Sequence, residues 1–273
     1  MLLTENTFHA CYLVTRWSLS FGDSAPIVLR ADQPPLSVRE ARDDFHRRHE
    51  GVRELGDADW ATFEALYSGA GQADRAMIEL YGVPSLSVTS GTRTYLGNRL
   101  NTEDARFWLN NLVADTPKPF LMVFLDRILA SWWITGFGGR IINAHSAVLP
   151  VARGSFAVEQ VAASEDRERF LDAVGATTHY VDAGIDTGPI IEARSLGSPW
   201  QFQSIWQVKA ACFNMAFDLL MKTAAGVVHQ GRPPHRGESQ AATPGHSDFK
   251  RADFGADQQR RAELGFQRMR LSG

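Results

Sequence analysis

Apolar and polar positions alternate with two different periods along this chain. "FHACYLVT" (Phe8 to Thr15) is continuously apolar and reads as a buried strand. "SAPIVLRADQPP" holds a second apolar run that stops at Pro34-Pro35. "SVREARDDFHRRHEGVREL" has the spacing of a charged amphipathic helix, and "DADWATFEALYSGAGQADRAMIELYG" reads as helical segments broken around Gly69 and Gly71. After Pro84, "SLSVTS" alternates as a short strand does. "NTEDARFWLNNLVAD" reads as a helix, capped by Asn101 or Thr102 and with acids in its first turn.

Further on, "KPFLMVFLDRIL" is an unbroken apolar run of the kind found in parallel sheets. "ASWWITGFGG" turns the chain into "GRIINAHSAVLP", a strand ending at Asn143 and His145. "DRERFLDAVG" reads as a short helix and "ATTHYVDAGIDTGPIIEARSL" as two strands around a loop rich in Asp and Gly. The long apolar stretch from Trp200 is a helix ending near Gly226. Strands alternating with helices predict an open α/β sheet. "RPPHRGESQAATPGHSDFK" is polar and rich in Pro, Gly and Ser, so it reads as a linker. The tail "GADQQRRAELGFQRMRLSG" is open to two readings: one more helix, or an arm docked on a partner chain, as in a homo-oligomer.

Composition narrows the class. The 273 residues are 44% hydrophobic and 22% charged with a formal net charge of -3, which is ordinary for a soluble globular chain and gives no general nucleic-acid surface. The two cysteines, Cys11 and Cys212, sit in apolar runs and form neither a disulfide framework nor a zinc site. "MLLTENTFHACYLVTRW" has no basic leader region, and Asp126 and Arg127 interrupt "FLMVFLDRILASWWITGF". These features predict a reducing, cytoplasmic protein with no membrane partner.

Chemistry concentrates in two stretches. In a strand, residues i and i+2 share a face, so Asn143 and His145 project together at a strand end. "GATTHYVDAGIDTGPII" offers His179, Asp182, Asp186 and the Thr187-Gly188-Pro189 turn. An amide, an imidazole and a carboxylate suit acyl-type transfer. The amide donates to a developing oxyanion, the imidazole handles a proton, and the carboxylate orients the imidazole and raises its basicity. No nucleophile elbow is present, so a covalent route is not indicated. His46 and His49, near Asp43, Asp44 and Glu50, have a spacing that raises metal binding, but a solvated helix face accounts for them and no metal is expected.

"PFLMVFLDRIL", "GRIINAHSAVLPVARG" and "GATTHYVDAGIDTGPII", in this order and spacing, resemble the folate-dependent formyltransferases, the superfamily of glycinamide ribonucleotide transformylase and the methionyl-tRNA formyltransferase catalytic domain. The resemblance runs from roughly Val83 to Gly231 and implies a Rossmann-like, mostly parallel sheet with flanking helices and a C-terminal extension. It divides the chain into a catalytic domain over residues 1–232, divergent at its start, and a linker and tail over 233–273. It implies 10-formyltetrahydrofolate as formyl donor, a small-molecule amine as acceptor, and no metal. Asn143, His145 and Asp186 would be catalytic. Phe124, Leu125, Arg127, Ile128 and Leu129, with Asp182 and Ile185 of the later loop, would line the folate pocket, largely through main chain. His179 and Ser146 would support the site, and Arg153 would lie on the acceptor side.

The sequence departs from the family in two informative places. Ser146 stands where the family has Pro. The first strand is not followed by a Gly-rich, phosphate-cradling turn; "LVTRWSLSFGDSAP" replaces it, which makes Arg16, Trp17 and Asp23 acceptor-side candidates in an altered loop. An amino sugar, an amino acid or a natural-product intermediate is therefore preferred over a purine nucleotide or tRNA as acceptor. Two other readings are hydrolysis of formyltetrahydrofolate and a catalytically silent folate-binding or scaffold subunit.

Overall fold

The computed structural model describes residues 1–86, 93–114, 118–240 and 248–272. The chain divides into two compact units, Met1–Thr116 and Pro117–Gly273.

In the first unit, β1 (Leu2–Glu5), β2 (Ile27–Arg30) and β3 (Arg93–Tyr95) are parallel, with Leu2 opposite Ile27 and Ile27 opposite Arg93. Four of its helices are α1 (Phe8–Phe21), α2 (Leu36–His49), α3 (Asp57–Leu66) and α4 (Gln72–Tyr81). A fifth, α5 (Glu103–Leu112), is capped by Thr102, whose side chain accepts from Ala105 N at 3.2 Å. The predicted strand over "FHACYLVT" is instead the first half of α1. The strand is the preceding "LLTE", every residue of which is buried. α1 is buried on nearly all sides, so its apolar run carries no 3.6-residue alternation, and periodicity alone does not separate it from a buried strand. Residues 87–90 of the predicted strand "SLSVTS" lie outside the described residues.

The turn from β1 into α1 is thus short, Asn6-Thr7, and the altered loop expected from Arg16 onward is helix followed by a single helical turn at Gly22–Ser24. Trp17 is fully buried and donates its indole N–H to Ala25 O at 2.7 Å, so it belongs to the core. The N-terminal turn of α1 has its donors satisfied from within the unit. Asp74 accepts the backbone N–H of His9 at 3.0 Å and contacts its Nδ1 at 2.9 Å. The same carboxylate accepts from Gly71 N at 2.9 Å. His46 overturns the expected solvated face, because it is wholly buried in an aromatic cluster with Phe8, Phe45, Phe63 and Tyr67.

In the second unit, β4 (Leu121–Phe124) is parallel to β5 (Ile141–His145), while β6 (Gly175–Tyr180) and β7 (Ile190–Ser195) continue antiparallel. The first unit is a parallel α/β sheet and the second a mixed one, each with helices, in keeping with the expected α/β class. Short helices α6 (Ser131–Gly136), α7 (Ala157–Ala163) and α8 (Arg167–Ala173) precede α9 (Ile205–Gln230) and α10 (Ala256–Leu271). α9 runs through Gly226 and ends at Gly231 in the left-handed conformation that favours glycine. By length and composition it is, among the described residues, the helix able to cross a membrane; its buried face lies on β5 and β6, as in a core helix.

The tail is helical, and its partner is its own chain. Ala262, Phe266 and Met269 enter the core formed with α7, α8 and α9. Gly265 permits that docking, because a Cβ there would overlap the carbonyl oxygen of Ala162 on α7. The segment read as a linker also has registered contacts: Glu238 pairs with Ile190 through both backbone bonds, at 2.7 and 2.8 Å, and Phe249 bridges to Gly154.

Candidate active site

β5 delivers the central pair. Its buried residues Ile141, Ile142 and Ala144 hold the strand in the sheet, and Asn143 and His145 share the face of Ile141 toward the strand's C-terminal end. Register then brings in His179, which lies directly opposite Asn143 on β6. Asn143 Nδ2 donates to His179 Nε2 at 3.1 Å, while His179 Nδ1 lies 2.8 Å from Tyr180 O. A carbonyl accepts only, so Nδ1 carries the proton and Nε2 accepts from the amide.

Asp186 reaches the same place from the β6–β7 loop. Its φ of 50° is left-handed, a conformation that Asp tolerates better than most side chains. Oδ1 lies 3.5 Å from both Asn143 Nδ2 and His179 Nε2, and Oδ2 lies 3.5 Å from His145 Nδ1. Oδ2 also accepts the Gly154 N–H at 2.9 Å. Gly154 has φ 93°, and a Cβ there would overlap the backbone of Phe249. These constraints give the Arg153-Gly154 dipeptide a physical meaning: the glycine lets the chain pass close enough to aim its N–H at the carboxylate.

The electrostatics correct one expectation. Burial pushes the His145 imidazole down, against the pull of Asp186 and the Ala152 carbonyl and with the push of His179 and Lys209. Its side chain is only 11% exposed, and desolvation outweighs the neighbouring carboxylate. Burial also disfavours the charged form of Asp186, but the His145 and His179 rings, when they carry positive charge, and the Gly154 N–H hold it well below the usual carboxylate range. The resting pair is therefore a carboxylate beside a neutral imidazole, where the sequence suggested an imidazole made more basic by its carboxylate. His145 Nε2 lies 3.0 Å from Ala152 O and so carries the single proton, leaving Nδ1 as a base.

The other predicted residues divide. Arg127, Ile128 and Leu129 follow the C-terminal end of β4, the parallel neighbour of β5, and so lie at the sheet end that carries His145. Phe124 is turned into the core, with ring centroids 5.7 Å from Phe213 and 4.9 Å from Phe217, so only its main chain is available to a ligand. Leu125 follows it and is half-buried. Leu129 is buried and Ile128 exposed. Asp182 builds the loop, with Oδ1 accepting from Gly184 N at 3.1 Å and Thr187 Oγ1 at 2.7 Å; Ile185 lies within that loop, half-buried. Ser146 is buried. Arg153 is committed to Gln240 at 3.2 and 2.9 Å. Arg16, Trp17 and Asp23 belong to the first unit, on α1 and the turn after it. Sequence reasoning missed Gln240, because nothing in a Pro-Gly-Ser-rich stretch marks one amide as special. It also missed the buried Lys209–Glu159 ion pair at 3.2 Å.

Residues 100–196, which include Asn143, His145 and Asp186, match the formyl transferase family model. Over that segment the chain is similar to the folate-dependent formyltransferases. Over 70 residues it is 37% identical to a phosphoribosylglycinamide formyltransferase of Bacillus subtilis strain 168, covering 26% of this chain and 33% of that protein. Over 117 residues it is 28% identical to the formyltetrahydrofolate deformylase of Escherichia coli O6:H1, covering 43% of this chain and 38% of that one. The chain thus spans about a third of the length of the curated relatives it matches. Its fold is that of a sugar N-formyltransferase from Shewanella sp. FDAARGOS_354, with a TM-score of 0.54 at 12% identity over 97% of this chain and 86% of the other.

Proposed function

We propose that this protein transfers a formyl group from 10-formyltetrahydrofolate to the amine of a small molecule. The observation that carries the reading is the convergence of Asn143, His145, His179 and Asp186 at the end of β5, inside the segment matching the formyl transferase family. The donor set fits such a substrate: an amide donor, a neutral base and a carboxylate in a largely desolvated cluster, beside the sheet end where open α/β folds bind ligands.

When bound, the donor supplies an activated formyl carbon to which an amine adds. One Asn143 N–H is held by His179; the other, at a long 3.5 Å from Asp186, is the donor that a developing oxyanion can claim. His145 takes the proton leaving the amine at Nδ1 and returns it to the departing nitrogen of the donor. Asp186, 3.5 Å away, stabilises the imidazolium formed in between. Arg127, Ile128, Leu129 and the 182–186 loop would hold the pterin by main chain. No step needs a metal.

The acceptor is an amino sugar, an amino acid or a natural-product intermediate. Asp74 supports this class, because its carboxylate already fills the start of α1 that would otherwise attract a phosphate. The two cysteines are buried free thiols, in keeping with a reducing compartment such as the cytoplasm. The longer match to a formyltetrahydrofolate deformylase favours hydrolysis as the second reading. The test is release of tetrahydrofolate from 10-formyltetrahydrofolate, with and without a panel of amines. Release that needs an amine supports transfer; equal release without one supports hydrolysis.

A further inference from the structure

Gln240 lies in the segment that reads as a linker, yet it spends its whole hydrogen-bonding capacity on the loops that carry the site. Its Nε2 donates to Asp186 O at 2.8 Å and to Gly188 O at 2.7 Å. Its Oε1 accepts both Nε and an Nη of Arg153, at 3.2 and 2.9 Å. An amide has two donors and two acceptor sites, so all four are used. The orientation is fixed, because turning the amide over would set oxygen against two carbonyls and NH₂ against a guanidinium. The backbone is fixed as well: Glu238 exchanges both backbone bonds with Ile190, and His235 Nε2 contacts Ile191 O at 2.7 Å.

Through this one side chain, residues 186–188 are tied to residue 153. Residue 153 precedes Gly154, whose N–H holds the Asp186 carboxylate. The left-handed backbone at Asp186 needs such over-determination to persist. We propose that Gln240 is a positioning residue, a clamp from the C-terminal segment that holds the Asp186 carboxylate against His145 and so completes the catalytic cluster. This rests on the formyl-transfer reading only for its kinetic readout.

Two variants test it. Gln240→Leu keeps the volume and removes all four bonds. Gln240→Glu keeps the hold on Arg153 but turns an oxygen toward the two carbonyls, and it serves if the leucine variant does not fold. With Asp186 displaced, kcat should fall about 10- to 100-fold while the donor KM changes little, the size expected for a misplaced catalytic group. NMR titration of the His145 ring, which needs no turnover, should show it protonating at lower pH than in the wild type, since the Asp186 charge that favours imidazolium has moved away. In an Asp186→Asn background the Gln240 substitution should cost nothing further. A folded variant with wild-type kcat and an unchanged His145 titration overturns the clamp, as do effects that simply add to Asp186→Asn. If the wild type turns over no donor, the formyl-transfer reading fails, and the His145 titration alone decides the clamp.

Discussion

Asp186 places the oxygen that accepts the Gly154 N–H, at 2.9 Å, within 3.5 Å of His145 Nδ1. A carboxylate held by a backbone donor stays ionised and in place, so its charge is ready when the imidazole gains a proton. Asp186→Asn keeps the shape and removes that charge. Turnover should fall by about 10²- to 10⁴-fold, the range for general acid–base contributions. The donor dissociation constant should hold, because the contacts proposed for the pterin are main chain. Both constants from one preparation, with circular dichroism for folding, check this; loss of binding together with turnover would make Asp186 a loop-structure residue instead.

The pH profile follows from the neutral imidazole. His145 acts as a base only when unprotonated, and burial places its folded pKa below the ordinary histidine value of 6.5. Activity should therefore be level around pH 7 and lost as pH falls through a point below 6.5. In Asp186→Asn that acid limb should move lower still, because the carboxylate raises the imidazole pKa. The pH dependence of kcat/KM in both proteins measures it; an acid limb above the ordinary histidine value would contradict the assignment.

His46 sets a separate stability window. Burial pushes it down to about 4, and its ring lies 2.6 Å from both Pro84 O and Tyr67 Oη. The unfolded histidine, near 6.5, binds a proton that the folded one refuses, so stability is present above about pH 6.5 and drains as pH falls toward 4. A depression of that size corresponds to about 3 kcal/mol. Urea unfolding at several pH values should show this loss, and His46→Gln should reduce its slope above pH 4, leaving the part due to His145, which burial also pushes down. The depressed carboxylates Asp74 and Asp186 lose their contributions only below that window. An equal slope in the variant would show that other groups carry it.

Lys209 and Glu159 form an ion pair with both side chains almost wholly buried. Lys209→Met should destabilise by about 3–5 kcal/mol, since it strands a buried carboxylate. Adding Glu159→Leu should recover much of that loss. Chemical denaturation of the two single variants and the double gives the coupling directly; simple additivity would mean the pair does not interact.

Much of this was legible in the residues. The i, i+2 spacing of Asn143 and His145 on a strand end, and the loop rich in Asp and Gly after His179, mark the residues that the fold brings together. The α/β class followed from alternating periods. What was hidden had physical reasons. α1 is buried all round, so "FHACYLVT" showed no helical period, and the altered loop inferred behind it vanished once it proved helical. His46 lies among charged neighbours, but tertiary packing turns it inward. The sign of the His145 shift depends on how much water the fold excludes, which residue types do not reveal. Gln240 acts through contacts more than 50 positions away along the chain, as |i−j| is 54 to Asp186 and 87 to Arg153.

The most direct test of the account follows the formyl carbon itself. 10-Formyltetrahydrofolate labelled with ¹³C in the formyl group is incubated with the protein and an amino sugar or amino acid panel, and the label is located by NMR and mass spectrometry. The account predicts label in a formamide on one of the amines, formed by the wild type and not by His145→Ala. Label found only as formate, or left entirely on the donor at saturating amine, would contradict it.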